Sequence, residues 1–192
     1  MATVLPNQGP QNLIKSIKLN ELSLTFSQQA PFAPVTGSKS TDAAFTIPFG
    51  FPLDISALEQ TITLGFKGND FAQLAIPKGP ASTDVGARII HLGFSNVPFA
   101  VFDNGHSVFE DFVAATTIGT EQTLRLSGSA SADAKTAVGV LSLTGINFAV
   151  DSTIEGLQGL NARPVTIANL DVNHGFPDFL LIKVDSSLFN PR

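Results

Sequence analysis

The groups in this chain that could do chemistry are three histidines, sixteen carboxylates and a scatter of serines. Their spacing assembles none of the familiar sites. A nucleophilic serine needs a base beside it on a strand–turn–helix elbow, and no Gly-x-Ser-x-Gly occurs. Ser127-Gly128-Ser129-Ala130-Ser131 has only the composition of one, and the Ser/Ala/Gly run over 127–134 reads as a hairpin connection. The histidines, His91, His106 and His174, are far apart in sequence. Asp103-Asn104-Gly105-His106 and Asp171-Val172-Asn173-His174 each set an oxygen near an imidazole. Both also have turn chemistry, and neither has zinc-ligand spacing. His91, between Ile90 and Leu92, is expected to face water. Phosphate-cradling glycine motifs are absent. Glu110-Asp111 open an expected helix, where carboxylates meet the favourable end of its dipole. With no Cys there is no disulfide, thiolate or zinc–sulfur chemistry. The expectation is therefore no catalytic residue, no metal and no cofactor.

The elements that would position such groups are legible from composition and period. The chain has 192 residues, enough for one domain with a real core. Only 14% of residues are charged and 43% are hydrophobic, which excludes disorder and charged helical bundles. A net charge of −5 without a basic stretch argues against nucleic acid as a partner. Sixteen Phe with no Trp and no Tyr give aromatic bulk without a polar handle. No stretch is long and apolar enough to cross a membrane as a helix.

Residues 1–11 read as a flexible arm and 12–191 as a single domain. Period-two alternation marks Ile17–Leu19 with Leu22–Phe26 as a strand bulged at Asn20-Glu21. It marks further strands at Phe45–Phe49, at 60–76 as a hairpin turning near Gly68-Asn69-Asp70, and at 85–94. Later strands are expected near 122–128, 137–150, 163–172 and 179–189, while 27–42 reads as a loop. Ser107-Val108-Phe109-Glu110 fits a capping box, and Val108, Phe109, Phe112, Val113 and Thr116 continue at helical spacing. A short helix is expected over 107–117. About eight short strands and one helix predict an antiparallel β-sandwich.

Two stretches carry a resemblance. One runs from Ala44-Phe45-Thr46-Ile47-Pro48-Phe49-Gly50-Phe51-Pro52 through the pair Thr61–Asp70 and Ala72–Pro77. The other is the closing Leu181–Phe189 followed by Asn190-Pro191. Together they resemble a fungal domain family of uncharacterised function. That family is related to the group-two late-embryogenesis-abundant (water-stress and hypersensitive-response) domains. The resemblance implies a fibronectin type III/immunoglobulin-like sandwich with a short helix, and lumenal repeats of fungal vacuolar membrane proteins that hold lipid in a groove. Such members usually carry a transmembrane helix, which this chain does not show. The implied setting is the vacuolar lumen or an extracytoplasmic face if the chain is part of a longer membrane protein, and otherwise a soluble one.

Two functional expectations follow. The first is a non-catalytic module binding lipid or another apolar ligand in a groove lined by Phe94, Phe99, Phe102, Phe109, Phe112 and Val113. The second is a structural or adhesive repeat module that meets sibling repeats or copies of itself through edge strands.

Overall fold

The computed structural model describes residues 13–46, 53–136, 139–161 and 164–187. The expected arm 1–11, Phe49 with Gly50-Phe51-Pro52, Val138 and the closing Asn190-Pro191 lie outside the described residues. The architecture is all-β with one helix. In chain order the strands are β1 (Ile14–Leu19), β2 (Ser23–Thr25), β3 (Val35–Phe45), β4 (Asp54–Phe66), β5 (Asn69–Asp84) and β6 (Ile89–Val101). The helix α1 (His106–Ile118) follows, then β7 (Glu121–Thr136), β8 (Gly139–Glu155), β9 (Thr166–Gly175) and β10 (Leu180–Ser187). Hydrogen bonding runs in one path, β1-β3-β6-β5-β4-β7-β8, with β2 added to β3, while β9 and β10 form a separate two-stranded sheet. No helix among the described residues is long and apolar enough to cross a membrane.

Two compact units divide the chain: Met1–Asp111 with Thr123–Ile154, and Phe112–Gln122 with Glu155–Arg192. The core of the first is built by period-two alternation. Ile62, Leu64 and Phe66 on β4, Phe71 and Leu74 on β5, and Leu124 and Leu126 on β7 are all buried. Each such side chain contributes roughly 1.5–3 kcal/mol relative to exposure. The β4–β5 hairpin turns on Lys67 (φ 49) and Gly68 (φ 84). Two consecutive positive φ values are the mirror-image turn that matches strand twist.

The register of β5 on β6 has a window in it. Ala72–Leu74 pair with Phe99–Val101 and Ala81–Asp84 with Ile89–Leu92, in one continuous register, while no pairing is made between these stretches. Pro77, Pro80 and Pro98, which lack an amide proton, fall within or beside the window.

In the second unit the end of α1 is closed by the chain that returns to it. Gly156, Leu157 and Gln158 donate backbone N–H groups to the carbonyls of Thr120, Thr116 and Gly119. These bonds satisfy acceptors that a helix C-terminus otherwise leaves open. A Cβ on Gly156 would lie 2.0 Å from the Gly119 carbonyl oxygen, so only glycine fits there.

Four details depart from the sequence pattern, each for a physical reason. Residues 35–42, expected in a loop, belong to β3. Their buried positions are hydroxyls that find internal partners: Thr36 Oγ1 donates to Ser23 O at 2.8 Å and Thr41 Oγ1 to Ser38 Oγ at 3.0 Å. The 127–134 run is the interior of β7 rather than a hairpin connection. Ala130, Ala132 and Ala134 are buried, and a Cβ on Gly128 would fall 1.9 Å from Thr61 O, so small residues permit the close approach of β4. The helix starts at His106, placing Ser107 inside it instead of at its cap. A 3₁₀ turn at Asp103–Gly105 sets that start, tied by Phe102 N donating to Phe71 O at 2.9 Å and Gly105 N to Phe102 O at 2.8 Å. The expected bulge at Asn20-Glu21 is a break between β1 and β2.

Candidate functional site

The six residues expected to line a groove separate into two groups. Phe99 on β6 and Phe109 on α1 are buried in the first unit, with ring centroids 5.7 Å apart. Phe71 approaches both, at 6.1 Å from Phe99 and 6.2 Å from Phe109. Phe26 and Phe32 each reach Phe109 at 6.2 Å, and Phe32 stacks on His106 at 3.7 Å. These separations are ordinary for packed aromatic pairs, in which each ring covers its neighbours' faces and edges. Phe94, opposite Ser38 on β3, and Phe102, at the mouth of the 3₁₀ turn, are half-buried. Phe112 (buried) and Val113 (half-buried) fall in the second unit. Phe26, Phe32 and Phe71 belong to the aromatic cluster but were not singled out by the sequence, because nothing local joins them to the helix.

The second unit contains a different kind of surface. In the β9–β10 ribbon, Ile182 lies opposite Val172 and Val184 opposite Leu170, which puts these four on one face. Lys183 lies opposite Asp171 and Asp185 opposite Asn169, so those positions belong to the other face. The ribbon is thus amphipathic by the pleat alone. Its apolar face is uncovered: Leu170, Val172, Ile182 and Val184 are 58%, 54%, 47% and 47% exposed. At the hairpin tip Phe176 N donates to Phe179 O at 2.8 Å, and the two exposed rings stack at 4.4 Å. Contiguous exposed apolar surface of this kind is what a partner removes from water. The alternation predicted these strands. Whether their apolar side would be covered is a tertiary property that no local pattern encodes.

Among curated proteins, none matches this chain at a level that indicates kinship. Solved structures that resemble it weakly include two of low identity. One is the solution structure of AT1g01470 from Arabidopsis thaliana, 12% identical, covering 72% of this chain and 80% of that one, with a TM-score of 0.39. The other is a crystal structure of a protein from Archaeoglobus fulgidus, 14% identical, covering 74% and 96%, with a TM-score of 0.30. The model of one protein family matches residues 69–191, more than half of the chain. The chain therefore belongs to DUF3712, a family described as protein of unknown function.

Proposed function

We propose that this chain is a non-catalytic association module that pairs with a second copy of itself through the apolar face of β9–β10. One observation carries the reading: four branched aliphatic side chains form one face of a ribbon and are about half exposed. A two-stranded ribbon is marginal in water by itself and gains most from a second layer. A second copy suits the face because Asp171, Lys183 and Asp185 all lie on the opposite side. Two apolar faces can then stack, as paired sheets do, without burying a charge. Such a contact is isologous, the commonest symmetry for a homo-oligomer.

Sedimentation equilibrium of the full chain over a wide concentration range tests this. A reversible dimer is expected, and Val172→Asp with Ile182→Asp should leave a monomer. A monomer at every concentration overturns the reading.

A second reading keeps the apolar ligand, lipid or other, and draws on the half-buried rings of Phe94 and Phe102. Native mass spectrometry after exposure to lipid separates it from the first, since retained lipid on a monomer favours the groove. A fibronectin-like sandwich and a fungal vacuolar-lumen setting, as the sequence resemblance implies, are compatible with either reading and belong to this proposal.

A further inference from the structure

On the first unit, away from the aromatic cluster, a shallow cavity of about 310 Å³ opens beside His91, with Lys39, Ser40, Pro80, Ser82 and Leu92 among its walls. Its position follows from the strand pairing. Opposite the single residue Gly93 on β6, β3 carries two residues, Lys39 and Ser40, between the pairs Ser38↔Phe94 and Thr41↔Leu92. This is a bulge. A Cβ at Gly93 would lie 3.1 Å from Lys39 O and 3.2 Å from Ser38 O, so glycine lets the bulged strand close in. On the other side of β6, the β5 ladder ends at Ala81↔Leu92, where the unpaired window begins.

The polar groups around this cavity can be counted atom by atom. Asp42 uses both carboxylate oxygens: Asn20 Nδ2 donates to Oδ2 at 2.8 Å and His91 Nδ1 lies 2.7 Å from Oδ1. Those bonds, Asn20's first and then His91's, hold the Asp42 carboxyl below its ordinary range, so it is ionised and accepts only. The proton between it and His91 therefore belongs to Nδ1, which leaves Nε2 as the open ring nitrogen. Ser40 Oγ accepts from Asn20 Nδ2 at 3.0 Å, which leaves its own proton to donate. The Ser40 carbonyl is taken by Asn20 N at 3.1 Å and Ser38 Oγ at 3.1 Å. Lys39 makes no ion pair, and Ser82 no side-chain hydrogen bond, among the described residues. These acceptors are consumed. An ammonium and two hydroxyl donors remain, with a ring nitrogen that donates when protonated or accepts from a ligand's own O–H.

Asp42, His91 and Ser82 lie opposite one another on β3, β6 and β5. That order is the one a nucleophilic triad would have, but no hydrogen bond joins Ser82 to His91 among the described residues. The row is read as a binding array.

From this inventory we infer that the cavity is a binding site for a phosphate group, held by Lys39, the hydroxyls of Ser40 and Ser82, and His91 Nε2. A tetrahedral oxyanion matches several convergent donors, and a singly protonated phosphate supplies an O–H to neutral Nε2. The exposed ring of Pro80 leaves an apolar wall for the carbon side of a monoester.

The test is an NMR titration of the full chain with inorganic phosphate, run beside co-sedimentation with phosphatidylcholine vesicles with and without phosphatidic acid. Saturable shifts confined to Lys39, Ser40, Ser82 and His91 are expected. Lys39→Ala should weaken binding roughly tenfold, the loss of one charge-assisted hydrogen bond. Lys78→Ala, which removes a lysine already paired with Asp133, should leave binding unchanged. A response to free phosphate alone identifies a soluble ligand. Lys39-dependent binding only to phosphatidic acid vesicles identifies a headgroup, and both outcomes support the site. Shifts that grow linearly without saturating, equal losses in the two lysine variants, or no response in either arm overturn it.

Discussion

Strands β4 and β9 are written in the same alphabet. β4 sets Ile62, Leu64 and Phe66 at every second position, and β9 sets Leu170 and Val172 likewise. The β4 residues are buried, while the β9 residues are more than half exposed. The difference lies in their partners. β4 has β5 on one side and β7 on the other, whereas β9 has only β10 among the described residues. A row of aliphatic side chains becomes a core when other layers close over it, and stays exposed when none does.

This contrast can be broken at its strong end first. Phe99→Ala removes a fully buried ring from the aromatic cluster and should cost about 3–5 kcal/mol in chemical denaturation. Val172→Ala in the ribbon should change the folding stability of a dilute sample by no more than about 0.5 kcal/mol. Comparable losses at both positions would mean that the ribbon face is covered within the folded chain.

A second comparison concerns glycine. Gly128→Ala forces a Cβ into the backbone of β4, where no side chain can give way, and should cost about 1–3 kcal/mol by thermal melting. A neutral outcome would mean that the β4–β7 approach is looser than the geometry describes.

The smallest effect is electrostatic. The Asp42 carboxyl is held below its ordinary range by Asn20 and His91, so its folded form favours ionisation. Its contribution is present above the unfolded aspartate value and is lost as pH falls through the lowered one. The side chain is partly exposed, so the effect should stay under about 1 kcal/mol. Asp42→Asn should narrow the stability difference from the parent chain as the solution is acidified, and an unchanged gap would argue that the Asn20–Asp42–His91 chain contributes nothing.

Much of the fold was legible where hydrophobicity alternates with period two. The β4–β5 hairpin, the helix and the β9–β10 pair stand close to where the pattern predicts them. Legibility failed where a strand was built from unusual material. β3 buries Thr36, Ser38 and Thr41, which read as loop residues until their bonding partners are known. β7 runs through Ser, Ala and Gly because β4 lies too close for larger side chains. The rings of Phe99 and Phe109, expected to line a groove, pack against each other, but Phe26, Phe32 and Phe71 join them from remote segments. The pattern placed His91 facing water, as found, yet its bond to Asp42 spans 49 residues and has no local signature.

The interrupted β5–β6 ladder has a mechanical consequence. Both ends are fastened in the same register, so sliding by one position would have to undo both and turn every inward side chain outward. The interruption is therefore fixed in place between its two fastened ends, like a buttonhole. Its prolines withhold amide protons that an intruding peptide would need, which closes it to a foreign strand.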